Sequence, residues 1–259
     1  MRRLPAIAIL AVLAAGCGGG GGASASSGDI AKAAKKTAGT GSFEADFAIS
    51  APGLSGKGSG VFNNGKHPSG QLNMSVTASG RQLPVDTVVT GDVFYMRSPA
   101  FARTLSQGKQ WIEVDLAKLA QQRGVDLGGL LNASPTPTNA LAYLAGTESV
   151  QKVGTETVAG AKATHYKVTV DIQRAADKAT GSVRTSLKSV IAQTGLKKLP
   201  VDVWLDANGY IRKVIYAEHA SRSQAANVTM ELHDFAGHTA IAPPPADSVV
   251  DLTKLGGAA

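Results

Sequence analysis

Cysteine is almost missing from this chain: one thiol, Cys17, stands among 259 residues. Internal disulfides, cysteine-rich metal sites and a cysteine nucleophile in the body of the fold are therefore excluded. Aromatic residues are scarce at 5%, so a core must rest on Val, Leu and Ile. The five histidines are His67, His165, His219, His233 and His238, and none is paired at metal-ligand spacing; the nearest two, His233 and His238, straddle Gly237. No Gly-x-Ser-x-Gly elbow, phosphate loop or dinucleotide fingerprint is present, and the run Gly56-Lys57-Gly58-Ser59-Gly60 lacks the third glycine where it is needed. Glu113 and Asp115 share one face of a strand and could form a carboxylate pair; with the other face apolar, they are read instead as solvent-side charges. No catalytic set, metal site or cofactor is expected.

What the chain does have begins at its N-terminus. Arg2-Arg3 precede an apolar run from Leu4 to Ala15, too short for the about 20 residues of a bilayer span but suited to a secretory signal. Cys17 follows Ala14-Ala15-Gly16 directly, which resembles the bacterial lipobox, where the cysteine is acylated and becomes the first mature residue. The lipobox prefers Leu three residues before the cysteine; Ala14 stands there, with Leu13 one place earlier. The rival is a secreted chain with an incidental Cys17, or an uncut signal-anchor. Residues 1–16 are read as the signal and 17–28 as an acylated cysteine with a Gly/Ser tether of about 18 Å r.m.s. span. Residues 29–259 are read as one domain. The formal charge is +7, and loss of Arg2 and Arg3 leaves +5. That balance favours anionic headgroups, while the scattered lysines and the exported location speak against nucleic acid.

Along the domain, Asp29 suits an N-cap for a helix over 30–38. From Ser42 the period becomes two: Phe43, Ala45, Phe47 and Ile49 alternate with Glu44, Asp46, Ala48 and Ser50. Further strands are predicted near Val61-Phe62, at Leu72–Thr77, at Pro84–Thr90 and Val93–Arg97 around a Gly91-Asp92 turn, and at Trp111–Asp115. Helical spacing covers Leu116–Arg123, Val125–Leu131 and Asn139–Leu144. Strands return at Val150–Val158, His165–Ile172, Val201–Leu205, Ile211–Glu218 and Val228–His233, interrupted over 174–198 by a basic amphipathic helical excursion; Ser248–Leu255 offers a short edge or a turn.

About ten strands joined by short turns imply antiparallel order. The fold class is α+β: a single strongly curved antiparallel sheet, a half-barrel, with helices covering its concave apolar face; a plain β-sandwich is the alternative. Small residues on the covering helices (Ala33, Ala34, Ala140, Ala142, Gly128, Gly129) suggest room beneath them. Phe47, Met74, Val168, Val170, Val203, Met230 and Leu232 would line such a hollow, and Val183, Leu187, Val190 and Ile191 would form a lid or a membrane-docking surface.

Four stretches carry a resemblance. They are Gly91–Met96, Gln110–Leu116, Val153–Gly160 leading into Thr164-His165-Tyr166, and Leu199–Asp206 with Gly209 and Arg212. In this order they resemble the actinobacterial LppX/LprG-type lipoproteins, whose half-barrel is shared with the LolA/LolB carriers. The resemblance implies a LolA-like lipid-binding domain that takes up acyl chains of envelope lipids and carries or presents them. It also implies a monomer, held at the extracytoplasmic side of the cell membrane through acylated Cys17, with a lipid or glycolipid ligand and an envelope transporter as a further partner. These motifs belong to strands and turns, so they speak to fold more than to cargo. The rival reading is a structural or sensory lipoprotein acting through protein contacts. An enzyme would need a cleft gathering His219, Asp234 and a serine.

Overall fold

The computed structural model describes residues 25–64, 68–91, 93–102, 105, 108–115, 118, 137–219, 225–237 and 240–252. Helix α1 (Ser27–Ala38) opens the domain, followed by β1 (Ser42–Ala51), β2 (Leu54–Asn63), β3 (Ser69–Ala78), β4 (Arg81–Thr90), β5 (Val93–Arg97), a short helix α2 (Pro99–Ala102) and β6 (Trp111–Asp115). Helix α3 (Pro137–Tyr143) and a 3-10 turn lead to β7 (Thr147–Val158) and β8 (Ala161–Asp171). Then come α4 (Ile172–Lys178), α5 (Gly181–Thr194), β9 (Lys198–Asp206), β10 (Ile211–His219), β11 (Ala225–His233) and β12 (Val249–Asp251). The expected helices at Leu116–Arg123 and Val125–Leu131, with Gly128 and Gly129, lie outside the described residues apart from Lys118.

Helix α1 starts earlier than Asp29 suggested. Ser26 is the cap: its hydroxyl accepts from the Asp29 N–H (3.2 Å), while the Asp29 carboxylate accepts from the Ser26 N–H (2.8 Å). This reciprocal box makes Asp29 the third helical residue. Ile30, Ala33, Ala34 and Thr37 form the buried stripe. The Thr37 hydroxyl donates to the Ala33 carbonyl and accepts from the Ile211 N–H, both at 2.9 Å, which fixes α1 to the start of β10. The single excursion expected over 174–198 is two helices. The Asp171 carboxylate caps α4 through the Arg174 N–H, and Gly195 ends α5 at φ +70°.

The twelve strands of the described residues belong to one sheet, in the order β12-β6-β5-β4-β3-β2-β1-β11-β10-β9-β8-β7. β1 to β6 form one meandering wing. The chain then crosses to the far edge and meanders back from β7 until β11 pairs with β1, Phe47 opposite Met230 and Ala45 opposite Leu232. The sheet is open and curled, so the half-barrel reading holds and the sandwich does not. Two details differ from expectation. The described residues form twelve strands, and the last, β12, pairs in parallel with β6.

Strand β2 starts well before the Val61-Phe62 pair at which a strand was expected. Gly56, Gly58 and Gly60 all lie inside this strand, on the concave face opposite Ile49, Phe47 and Ala45. A Cβ on Gly58 would sit 2.2 Å from the Asn73 carbonyl oxygen, and one on Gly60 would sit 2.6 Å from that of Gln71. Only glycine allows neighbouring backbone this close. The Phe62 ring uses the space over Gly60 and Gly70 and stacks on Phe43 at 5.6 Å.

The core lies under α1, α3, α4 and α5, against β1 and β8 to β11. Ile30, Leu141, Leu144, Ile172, Val203 and Leu232 are wholly buried there. Ala33, Ala34, Ala140, Ala175 and Ala176 are buried too. These buried alanines let the helices approach closely, which corrects the expectation of room at Ala33, Ala34 and Ala140; Ala142 is half-buried.

Candidate functional site

Opposed residues in an antiparallel ladder share a face, so the register maps the concave surface across the β3–β6 wing. From Phe47 it runs through Gly58 to Met74 and Val85, and in the next rows through Leu72, Val76 and Leu83 to Phe94, Met96, Ile112 and Val114. Apart from buried Ile112, the wing members from Leu72 to Val114 are half-buried, unlike the sealed core on the other half of the sheet. The sheet therefore carries one concave face with two states of packing.

The expected pocket residues divide accordingly. Phe47, Val168, Val170, Val203, Met230 and Leu232 are on the concave face, and all are at most 4% exposed within the packed core. Met74 is on the same face in the other wing and is half-buried. Sequence reading missed its neighbours Leu72, Leu83, Val85, Phe94, Met96 and Val114. Their signal was in the alternation that continues through the hairpin turns at Ser79-Gly80 and Gly91; what local pattern lacks is which half of the sheet the helices cover.

The expected lid is the sheet-facing side of α5. Leu187 is 2% exposed, and Val183 and Ile191 pack against the core. Val190, with Tyr143, Ile172, Leu196, Leu199 and Tyr216, borders a crevice of about 10 Å³, no more than one water's worth. At the adjoining sheet edge, Lys198 bridges Glu148 and Asp171. The Arg174 N–H, then Lys198, holds the Asp171 carboxyl below its ordinary value, and Glu148, then Asp171, raises the Lys198 ammonium.

The convex face is polar and internally satisfied at its centre. His165 stacks on Trp204 at 4.1 Å and its Nε2 is 2.6 Å from the Asp202 carboxylate, while the Trp204 indole N–H donates to Glu156. Trp204 also packs with Val158 and Ala163. The buried Asp206 carboxylate accepts from the Tyr210 N–H (2.9 Å) and Arg212 Nε (2.7 Å) around Gly209 at φ +78°. The motif residues Trp204, Asp206, Gly209 and Arg212 thus build a strand surface and its turn. Glu44, His233 and Asp234 bring ligand-type atoms within 4.8 Å of one another, but His233 Nδ1 is already 2.8 Å from Asp234 and Nε2 is 3.4 Å from Asp46. Of the three groups an enzyme would need, Asp234 thus partners His233, and the side chain of His219 lies outside the described residues. His67 and His238 lie outside the described residues as well.

An open, curled sheet, sealed by helices on one half and lined by half-buried apolar side chains on the other, defines an α+β half-barrel with a concave apolar face. That is the fold of LprF from Mycobacterium bovis, whose crystal structure superposes with a TM-score of 0.53 at 15% identity, over 86% of this chain and 99% of that one. The lipoprotein LppX of Mycobacterium tuberculosis aligns over 83% of this chain and 97% of its own, at 15% identity and a TM-score of 0.49. By sequence, an uncharacterized 31.2 kDa protein of Streptomyces griseus, from the rplA-rplJ intergenic region, is 27% identical over 202 residues. The match spans 74% of this chain and 65% of that relative's length. No protein-family model matches the chain.

Proposed function

We propose that this protein binds acyl chains of envelope lipids on the concave face of the β3–β6 wing and carries or presents them. The observation that supports this most is the strip of half-buried apolar side chains, Leu72, Met74, Val85, Phe94, Met96 and Val114, beside a core that is otherwise sealed. Each buried CH₂ contributes about 0.8 kcal/mol, so a long chain gains affinity without any directional contact. In this reading Met74 and its neighbours make first contact. Phe47, Val168, Val170, Val203, Met230 and Leu232 form the deep wall, reached when Val183, Leu187, Val190 and Ile191 lift with α5. Acylated Cys17, outside the described residues, would hold the domain at the extracytoplasmic side of the cell membrane, and an envelope transporter would be a further partner. The fold shared with LprF is consistent with this role and with the absence of an enzymatic one.

A fatty acid carrying a photoreactive group tests the site. Irradiated with the full chain, it should label peptides of β3 to β6; labelling confined to other surfaces would count against the reading. The sealed core over β8–β11 favours a second reading, a lipoprotein acting through protein contacts, and that reading expects no labelling at all.

A further inference from the structure

The outward side of the helical layer is strongly basic. Helix α1 presents Lys32, Lys35 and Lys36; α4 presents Arg174 and Lys178; α5 presents Arg184 and Lys188, and all seven are exposed. Against them these helices carry two carboxylates, Asp29 and Asp177, a surplus of five positive charges. Among the described residues none of the seven is in a salt bridge; Lys36, Lys178 and Arg184 bond backbone carbonyls and keep their charge unpaired. The opposite, convex face carries Glu44 and Asp46 on β1, Asp202 on β9 and Glu231 on β11 together with Lys57, Lys167 and Lys213, the last paired with Glu231, so it has no comparable surplus of positive charge. The chain also enters the domain through α1, which begins ten residues after Cys17.

We propose that the outer face of α1, α4 and α5 is a docking surface for an anionic lipid bilayer. Negative headgroups complement the surplus charge, and each basic residue near such a surface strengthens binding about fivefold at low salt. Docked this way, the helical layer lies between bilayer and sheet, and the convex carboxylates face away from the membrane. Docking depends on charge placement and not on the concave face, so a protein that docks but holds no lipid would refute only the preceding reading.

The test uses the full chain with Cys17→Ser, so that acylation plays no part. Co-sedimentation is compared between phosphatidylcholine vesicles and vesicles with 30 mol% phosphatidylglycerol; any apolar contribution of the N-terminal segment is common to both. Lys32→Gln/Lys35→Gln/Lys188→Gln removes three charges from the helical layer at exposed positions that take part in no salt bridge among the described residues. Lys57→Gln/Lys109→Gln/Lys167→Gln removes three from the sheet and its loops. The preference for anionic vesicles should fall at least tenfold in the helical variant, stay within twofold in the sheet variant, and weaken in 0.5 M NaCl. Equal loss in both variants, retention in the helical variant, or no preference in the parent chain would each overturn the proposal; the last would point to an acidic protein as the partner instead.

Discussion

At Gly58 a single added methyl group would meet the carbonyl oxygen of Asn73 at 2.2 Å and the Met74 side chain at 2.7 Å. Gly154, on the far edge strand, has nothing within 4 Å of the same position. Gly58→Ala should therefore cost about 1–3 kcal/mol, whereas Gly154→Ala should change stability by less than about 1 kcal/mol. Urea midpoints of the two variants measure this directly. Two carboxylates make a second prediction. The Ser26 backbone N–H, then its hydroxyl, lowers the Asp29 pKa, and the Arg174 N–H, then Lys198, lowers that of Asp171, each from 3.8. A group held below its unfolded value stabilises the fold above that value, and the contribution disappears as pH falls through the lowered folded value. Loss of the α1 and α4 caps should appear only below about pH 4, and Asp29→Asn/Asp171→Asn should flatten the stability profile there. At Cys17, intact-mass measurement of membrane-extracted protein should show diacylglycerol on the cysteine; an unmodified thiol would remove the proposed membrane attachment.

Among the elements, the helices over β8–β11 and the wing β3–β6 should respond in opposite ways to substitution. Leu187 is 2% exposed beneath α5, and Leu187→Ala should cost about 2–5 kcal/mol in thermal or urea unfolding. Half-buried Met96 on β5 should tolerate Met96→Ser at about 1 kcal/mol or less, yet lose much of the photoreactive fatty-acid labelling. The alternation of β1, β8, β9 and β11 was legible because each has one apolar and one polar face, and burial follows that period. Boundaries were less so. Asp29 reads equally well as a cap or as the third residue of a capping box, and only the Ser26 geometry separates the two. The β2 glycines look like punctuation in a linear reading because their reason, the approach of the β3 carbonyls, comes from a neighbouring strand. Alanines on α1, α3 and α4 likewise carry two meanings, space or close approach, and packing selects the second.

Across the whole molecule, the half-barrel was legible because short turns force neighbouring strands to pair. The join of β1 to β11 was not, since its partners are about 180 residues apart and no local pattern specifies Phe47 opposite Met230. Nor does local pattern reveal that helices seal one half of the concave face while the other keeps its apolar side chains half-buried. That asymmetry is the basis of the proposed function, and it allows a direct test. The full chain is purified from its membrane, extracted with organic solvent, and the extract analysed by mass spectrometry, which leaves covalently bound acyl groups on Cys17 behind. Acyl lipid should be present at about one molecule per protein, reduced by Met74→Glu/Met96→Glu in a variant that still folds. An extract free of acyl lipid, from a folded protein that also excludes an apolar dye, would contradict the proposed function.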